Sequence, residues 1–165
     1  ARPEGWGVAD GFLAGGEAED LRRHLLDLWR GGEFKPGDLE GGDTANVKHA
    51  GANTGGPALV RSDEHIYAQE RGPVLAFARR LDRAMLALTS QVPALAGKRL
   101  MRGRPMAAVY AGAGARYAPH FDAVGGDNGR VLTCILYLNP FWREGDGAVL
   151  RLWPSARRLE REGPC

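Results

Sequence analysis

The stretch RYAPHFDAVGGDNGRVLTCILYLN, residues 116–139, decides how the rest of the chain is interpreted. Residues 131–138 within it are almost continuously apolar, which predicts a strand that is covered on both faces. His120 and Asp122 are separated by one residue, so in a strand their side chains project to the same side. The stretch therefore predicts a buried sheet that directs an imidazole and a carboxylate at one point.

Further β-type runs flank this stretch. MAAVYAG, residues 106–112, precedes it and AVLRLWP, residues 148–154, follows it, with Gly, Asp and Asn turns between them. Short strands separated by such turns are typical of sandwiches and barrels. Two amphipathic helices are predicted upstream, one in residues 17–32 and one that Pro73 begins and Pro93 ends. The sequence thus predicts an α+β fold, with two N-terminal helices packed on the outside of a sandwich or jelly roll.

The chain is organised as one domain in this interpretation. Residues 1–99 form the helical support and a long loop, residues 100–154 form the strands, and residues 155–165 form a charged tail. The loop, residues 35–57, is rich in Gly and polar residues. A loop of this length is either functional or disordered.

Composition excludes several classes of partner. The 165 residues are 44% hydrophobic and 25% charged, with a formal charge of +2 and no clustered basic face, so no nucleic-acid partner is expected. No apolar run approaches the roughly 20 residues that span a bilayer, so no membrane partner is expected. The two cysteines, Cys134 and Cys165, have no zinc spacing and predict a buried free thiol and a thiol in the tail.

The His-x-Asp pair has more than one interpretation when it is taken alone. Two histidines and a carboxylate on one face of an octahedron form the facial triad of non-haem iron(II), which leaves positions open for a cosubstrate and oxygen. His120 and Asp122 supply two members of such a set. A surface pair, or an aspartate that orients a structural histidine, fits the same spacing.

Residues 103–154 resemble the catalytic core of the HIF prolyl hydroxylases, which are iron- and 2-oxoglutarate-dependent dioxygenases. The resemblance lies in three ordered motifs: GRPMAAVYAGAGARYAPHFD, GDNGRVLTCILYLNPFW and GAVLRLWP. Looser, collinear similarity extends upstream through WGVADGFL, GEFKPGDL and VRSD. The resemblance implies a double-stranded β-helix (jelly roll) core.

The same resemblance implies roles for individual residues. His120 and Asp122 match the first two iron ligands and are the implied catalytic residues. The implied 2-oxoglutarate pocket contains two tyrosines whose hydroxyls contact the cosubstrate, two apolar lining residues and a threonine on the same strand face: Tyr110, Tyr137, Ile135, Leu150 and Thr133. Arg61 and Asp63 match residues that follow the loop closing over the target peptide in the family.

The implied activity is that of a peptidyl-proline 4-hydroxylase with an oxygen-sensing role. Such an enzyme uses Fe(II), 2-oxoglutarate and O2, releases succinate and CO2, and depends on ascorbate. Its implied partner is a proline-containing protein or peptide, in the cytoplasm or nucleus.

One part of the family pattern is missing. The family has a second iron-binding His after His-x-Asp and then an Arg for 2-oxoglutarate, whereas no His follows Asp122 here. The C-terminal part is therefore expected to be missing, the jelly roll to be incomplete, and this form to be inactive. Two alternatives remain open: a non-catalytic remnant that acts as an interaction module, and a hydroxylase of a different protein target.

Overall fold

A computed structural model describes residues 5–37, 63–112, 115, 117, 120, 122–123 and 129–152. Arg61 and most of the predicted loop lie outside these residues. The described elements are two helices, three short strands and two 3-10 turns: α1 (Gly15–Arg30), β1 (Lys35–Pro36), β2 (Glu64–Tyr67), α2 (Gly72–Gln91), a turn at Pro93–Leu95, β3 (Met106–Val109) and a turn at Glu144–Asp146. Both predicted helices are confirmed, and the predicted division into three parts stays a prediction.

The ends of α1 follow from its sequence. The backbone N–H of Ala14 donates a hydrogen bond to Oε2 of Glu17 at 3.0 Å. A carboxylate in the first turn also suits the positive end of the helix dipole. At the other end, the N–H of Glu33 bonds to the carbonyl of Leu28 at 3.1 Å, as in a Schellman motif. Gly32 stands in that turn with a φ of 76°, a left-handed conformation in which glycine has no Cβ clash.

Helix α2 packs its first half against α1. Val74 and Ala78 are buried, whereas Leu88, near the C-terminal end of the helix, is 37% exposed. Phe77 meets Phe12 edge to face, with the ring centroids 6.4 Å apart. The packing of α2 is therefore concentrated in its first half. Within the described residues, no helix is long and apolar enough to cross a membrane.

The three strands form one antiparallel sheet in the order β1-β2-β3. Val109 at the end of β3 is opposite Glu64 at the start of β2, and Met106 is opposite Tyr67. A core of Leu21, Ala68 and Val74 joins α1, the end of β2 and α2, with Leu13, Leu25, Phe77, Leu136 and Leu138 packed against it. The run 131–138 thus reaches the core through two of its leucines.

The prediction that residues 131–138 form a strand covered on both faces is wrong for the described structure. Residues 129–152 contain no strand. Leu136 and Leu138 contact the core, but Ile135 and Tyr137 are each 55% exposed. Residues 131–138 are therefore covered on one side, and the other side is exposed. The Cys134 residue is exposed rather than buried, although partial burial raises the pKa of its thiol.

Candidate metal centre

The structure brings His120 and Asp122 together. Nε2 of His120 lies 3.1 Å from Oδ1 of Asp122. Both side chains are partly open to solvent, 26% for the histidine and 34% for the aspartate. The predicted convergence of an imidazole and a carboxylate is therefore observed.

An aromatic ring supports the histidine. The rings of Tyr117 and His120 are stacked, with centroids 3.9 Å apart and planes inclined by 28°. Stacking of this kind restricts rotation of the imidazole about its own side-chain bonds. Tyr117 was not predicted as a site residue, although its position three residues before His120 was visible in the sequence.

Two further side chains hold the carboxylate. The hydroxyl of Thr133 donates a hydrogen bond to Oδ2 of Asp122. Nη1 of Arg130 lies 3.4 Å from Oδ1 of the same carboxylate, where it forms an ion pair. Both partners come from the segment 130–133, so this segment lies against the His-x-Asp motif.

The donor set fits an iron ion in part. Two ligand atoms at a right angle, each about 2.1 Å from one octahedral metal ion, lie about 3 Å apart. The 3.1 Å between Nε2 and Oδ1 is close to that separation. A neutral imidazole carries one N–H, so metal binding through Nε2 requires the proton to be on Nδ1. Among the described residues, no group of three or more His, Cys, Asp or Glu side chains is placed to hold a metal ion.

The residues predicted for the 2-oxoglutarate pocket lie on an open surface. Tyr110 directly follows β3 and is 39% exposed, and Ile135, Tyr137 and Leu150 are each 55% exposed. Thr133 differs from these residues because its hydroxyl contacts Asp122. Two cavities in the described part of the chain lie elsewhere, one between α1 and α2 and one beside the end of β2. Neither cavity is lined by His120 or Asp122.

Asp63, predicted to act with the substrate loop that it follows, is 3% exposed. Its backbone carbonyl accepts a hydrogen bond from the N–H of Gly37 at 2.6 Å, and its carboxylate lies 3.9 Å from Nδ1 of His65. A side chain buried at the start of β2 does not reach a substrate unless it moves. Its role at the substrate stays a prediction, as does that of Arg61.

The chain is similar in sequence to known proteins. Residues 105–163 match the family model described as the 2OG-Fe(II) oxygenase superfamily. The chain is 31% identical over 160 residues to the Caenorhabditis elegans hypoxia-inducible factor prolyl hydroxylase, covering 92% of this chain and 20% of that protein. It is 28% identical over 153 residues to Egl nine homolog 1 of Mus musculus, covering 91% and 36%.

A shorter alignment, 44% identical over 57 residues, relates the chain to prolyl hydroxylase EGLN3 of Rattus norvegicus and covers 34% of this chain and 23% of the relative. The chain thus spans 20% to 36% of the length of these three curated relatives. No solved structure matches it. The matched superfamily implies a jelly-roll fold, and the small antiparallel sheet and two helices of the described residues are consistent with part of it. The resemblance found in the sequence is therefore confirmed: residues 105–163 match the model of the 2OG-Fe(II) oxygenase superfamily, and the chain is similar to prolyl hydroxylases.

Proposed function

We propose that this chain is part of a peptidyl-proline 4-hydroxylase that depends on Fe(II) and 2-oxoglutarate. The observation that supports this most directly is the 3.1 Å approach of Nε2 of His120 to Oδ1 of Asp122. In a chain of this superfamily, such a pair is suited to two adjacent positions on one metal ion. The proposal covers one domain over residues 1–165.

His120 and Asp122 would hold the iron through an imidazole nitrogen and a carboxylate oxygen. Bound iron supplies the oxygen chemistry: 2-oxoglutarate and O2 become succinate and CO2, and the remaining oxygen atom enters a C–H bond of the substrate proline as a hydroxyl. The protein itself would hold the metal-ligand side chains in place and orient 2-oxoglutarate and the substrate peptide. Tyr117 contributes by stacking against the ring of His120.

The finer assignments rest on the resemblance alone. Tyr110 and Tyr137 would donate hydrogen bonds to 2-oxoglutarate, while Ile135 and Leu150 would line its aliphatic part. Arg61 would lie near the substrate peptide. Ascorbate would keep the iron ferrous, and the protein would act in the cytoplasm or nucleus on a proline-containing polypeptide.

A turnover assay tests this proposal. The longest form of the protein that its own cells make is purified and supplied with Fe(II), 2-oxoglutarate, ascorbate, O2 and a library of proline-containing peptides. Succinate formation and a one-oxygen mass gain on a peptide proline are the expected results. His120→Ala is expected to abolish both. Retained turnover in this variant would falsify the assignment.

The alternative of an interaction module is favoured by one observation. The segment 131–152 exposes a series of large apolar side chains, among them Phe141 at 92%, Leu152 at 56% and Val149 at 54%. Exposed apolar surface of this kind marks sites where another polypeptide segment packs. In the assay, a protein without peptide hydroxylation and without metal-dependent succinate formation would favour this alternative.

A further inference from the structure

We infer that Thr133 is a positioning residue for the metal centre, which holds the Asp122 carboxylate in the orientation that metal binding requires. The inference rests on the proposed function, because it concerns the same pair of ligands. It assigns the threonine hydroxyl to the aspartate, whereas the sequence resemblance places Thr133 in the cosubstrate pocket.

The geometry separates the two oxygens of the carboxylate. Oδ2 of Asp122 accepts the hydrogen bond from the Thr133 hydroxyl, while Oδ1 is the oxygen that lies 3.1 Å from Nε2 of His120. The terminal torsion of an aspartate side chain is broad and roughly two-fold, so by itself it does not select one oxygen. The hydrogen bond at Oδ2 makes that selection and leaves Oδ1 beside the imidazole.

The hydroxyl has one proton to donate. A threonine side chain offers a single O–H donor, and its remaining capacity is to accept. Because the proton is directed at Asp122, it is not available to a carboxylate of 2-oxoglutarate at the same time. An anionic cosubstrate needs donors, so the residue serves the metal ligand in this arrangement. Outer partners of this kind orient the side chains that hold a metal.

Thr133 is suited to this role by its restricted side-chain torsion and by its position in the chain. Branching at Cβ restricts its χ1 torsion, so the hydroxyl is already oriented before metal binds. Thr133 lies three residues after Arg130, which contacts the other oxygen of the carboxylate. The two side chains therefore approach Asp122 from one segment, Thr133 at Oδ2 and Arg130 at Oδ1.

The test is a titration of the purified protein with Mn(II), in which electron paramagnetic resonance measures the concentration of the free ion. Four proteins are compared: the unchanged chain, Thr133→Val, Thr133→Ser and His120→Ala. Valine keeps the shape of threonine without the donor, and serine keeps the donor. We expect Thr133→Val to bind Mn(II) about 10- to 100-fold more weakly, the usual cost of losing an outer-shell partner. Thr133→Ser should bind within a few-fold of the unchanged chain.

The outcomes separate this inference from the proposed function. If His120→Ala binds Mn(II) as well as the unchanged chain does, the metal centre itself is refuted. If His120→Ala loses binding but Thr133→Val does not, the centre stands and the role of Thr133 is overturned. Equal weakening in the valine and serine variants also overturns it, because serine retains the hydroxyl. Circular dichroism of each variant checks that folding is unchanged, which the exposed position of Thr133 leads us to expect.

Discussion

Replacing Arg130 with glutamine should strengthen metal binding at the His120–Asp122 pair. Nη1 of Arg130 lies 3.4 Å from Oδ1 of Asp122, the same oxygen that faces the imidazole. A cation at this position neutralises the carboxylate and competes with a metal ion for it. The substitution removes the competing charge, while the Thr133 hydrogen bond continues to orient the carboxylate.

The size of the effect follows from the exposure of the pair. The side chains of Arg130 and Asp122 are 50% and 34% exposed, so the ion pair belongs to the solvated class that contributes about 0–1 kcal/mol. Loss of a competitor worth about 1 kcal/mol tightens binding about fivefold, since 1.36 kcal/mol corresponds to a factor of ten. The gain should shrink as salt is raised from about 0.01 M to about 1 M, because the Debye length falls from about 30 Å to about 3 Å.

The assay is a Mn(II) titration of the unchanged chain, Arg130→Gln and Arg99→Gln. Arg99 is exposed and lies in the coil after α2, so its replacement changes the net charge equally without touching the site. Tighter binding confined to Arg130→Gln is the expected result. Weaker binding in that variant would refute the reasoning and show that the arginine positions Asp122 instead. Identical behaviour of the two variants would show that the effect is one of net charge alone.

Three further results are expected. His120→Ala should abolish iron-dependent turnover in any active form and also Mn(II) binding, as measured by succinate release and by titration. Ala78→Leu should lower the free energy of unfolding in urea by about 1–3 kcal/mol, because Ala78 is 0% exposed and extra methylenes have no space. The exposed Ala87→Leu on the same helix should change it by less than about 0.5 kcal/mol, and equal effects would contradict the packing. The hydrogen bond from Arg102 lowers the pKa of Glu70 below 4.5, so its stabilising contribution is present near neutral pH and is lost as the pH falls through the lowered pKa. Thermal melts from pH 6 to pH 2 should therefore show less acid destabilisation in Arg102→Gln, and an unchanged pH dependence would count against the pairing.

Much of the fold was predictable because it depends on local patterns. The apolar spacing of Leu21 and Leu25 and the glycines after Arg30 define α1, and Pro73 and Pro93 bracket α2. The cover of residues 131–138 was not predictable in the same way. An apolar run indicates that a strand can be buried, but its burial depends on neighbouring segments, and here only one set of alternate side chains contacts the core.

The sequence by itself determined the chemistry of the candidate site. The i and i+2 spacing of His120 and Asp122 predicts that both side chains lie on one side of the chain, and Nε2 and Oδ1 are indeed 3.1 Å apart, although Asp122 is in a bend rather than a strand. Only the tertiary structure decided what supports the pair. Thr133 is eleven residues from Asp122, so the hydrogen bond between them depends on tertiary packing and not on local spacing. Spacing along a strand sets which side chains share a face, whereas contacts across a turn are set by the packing of separate segments.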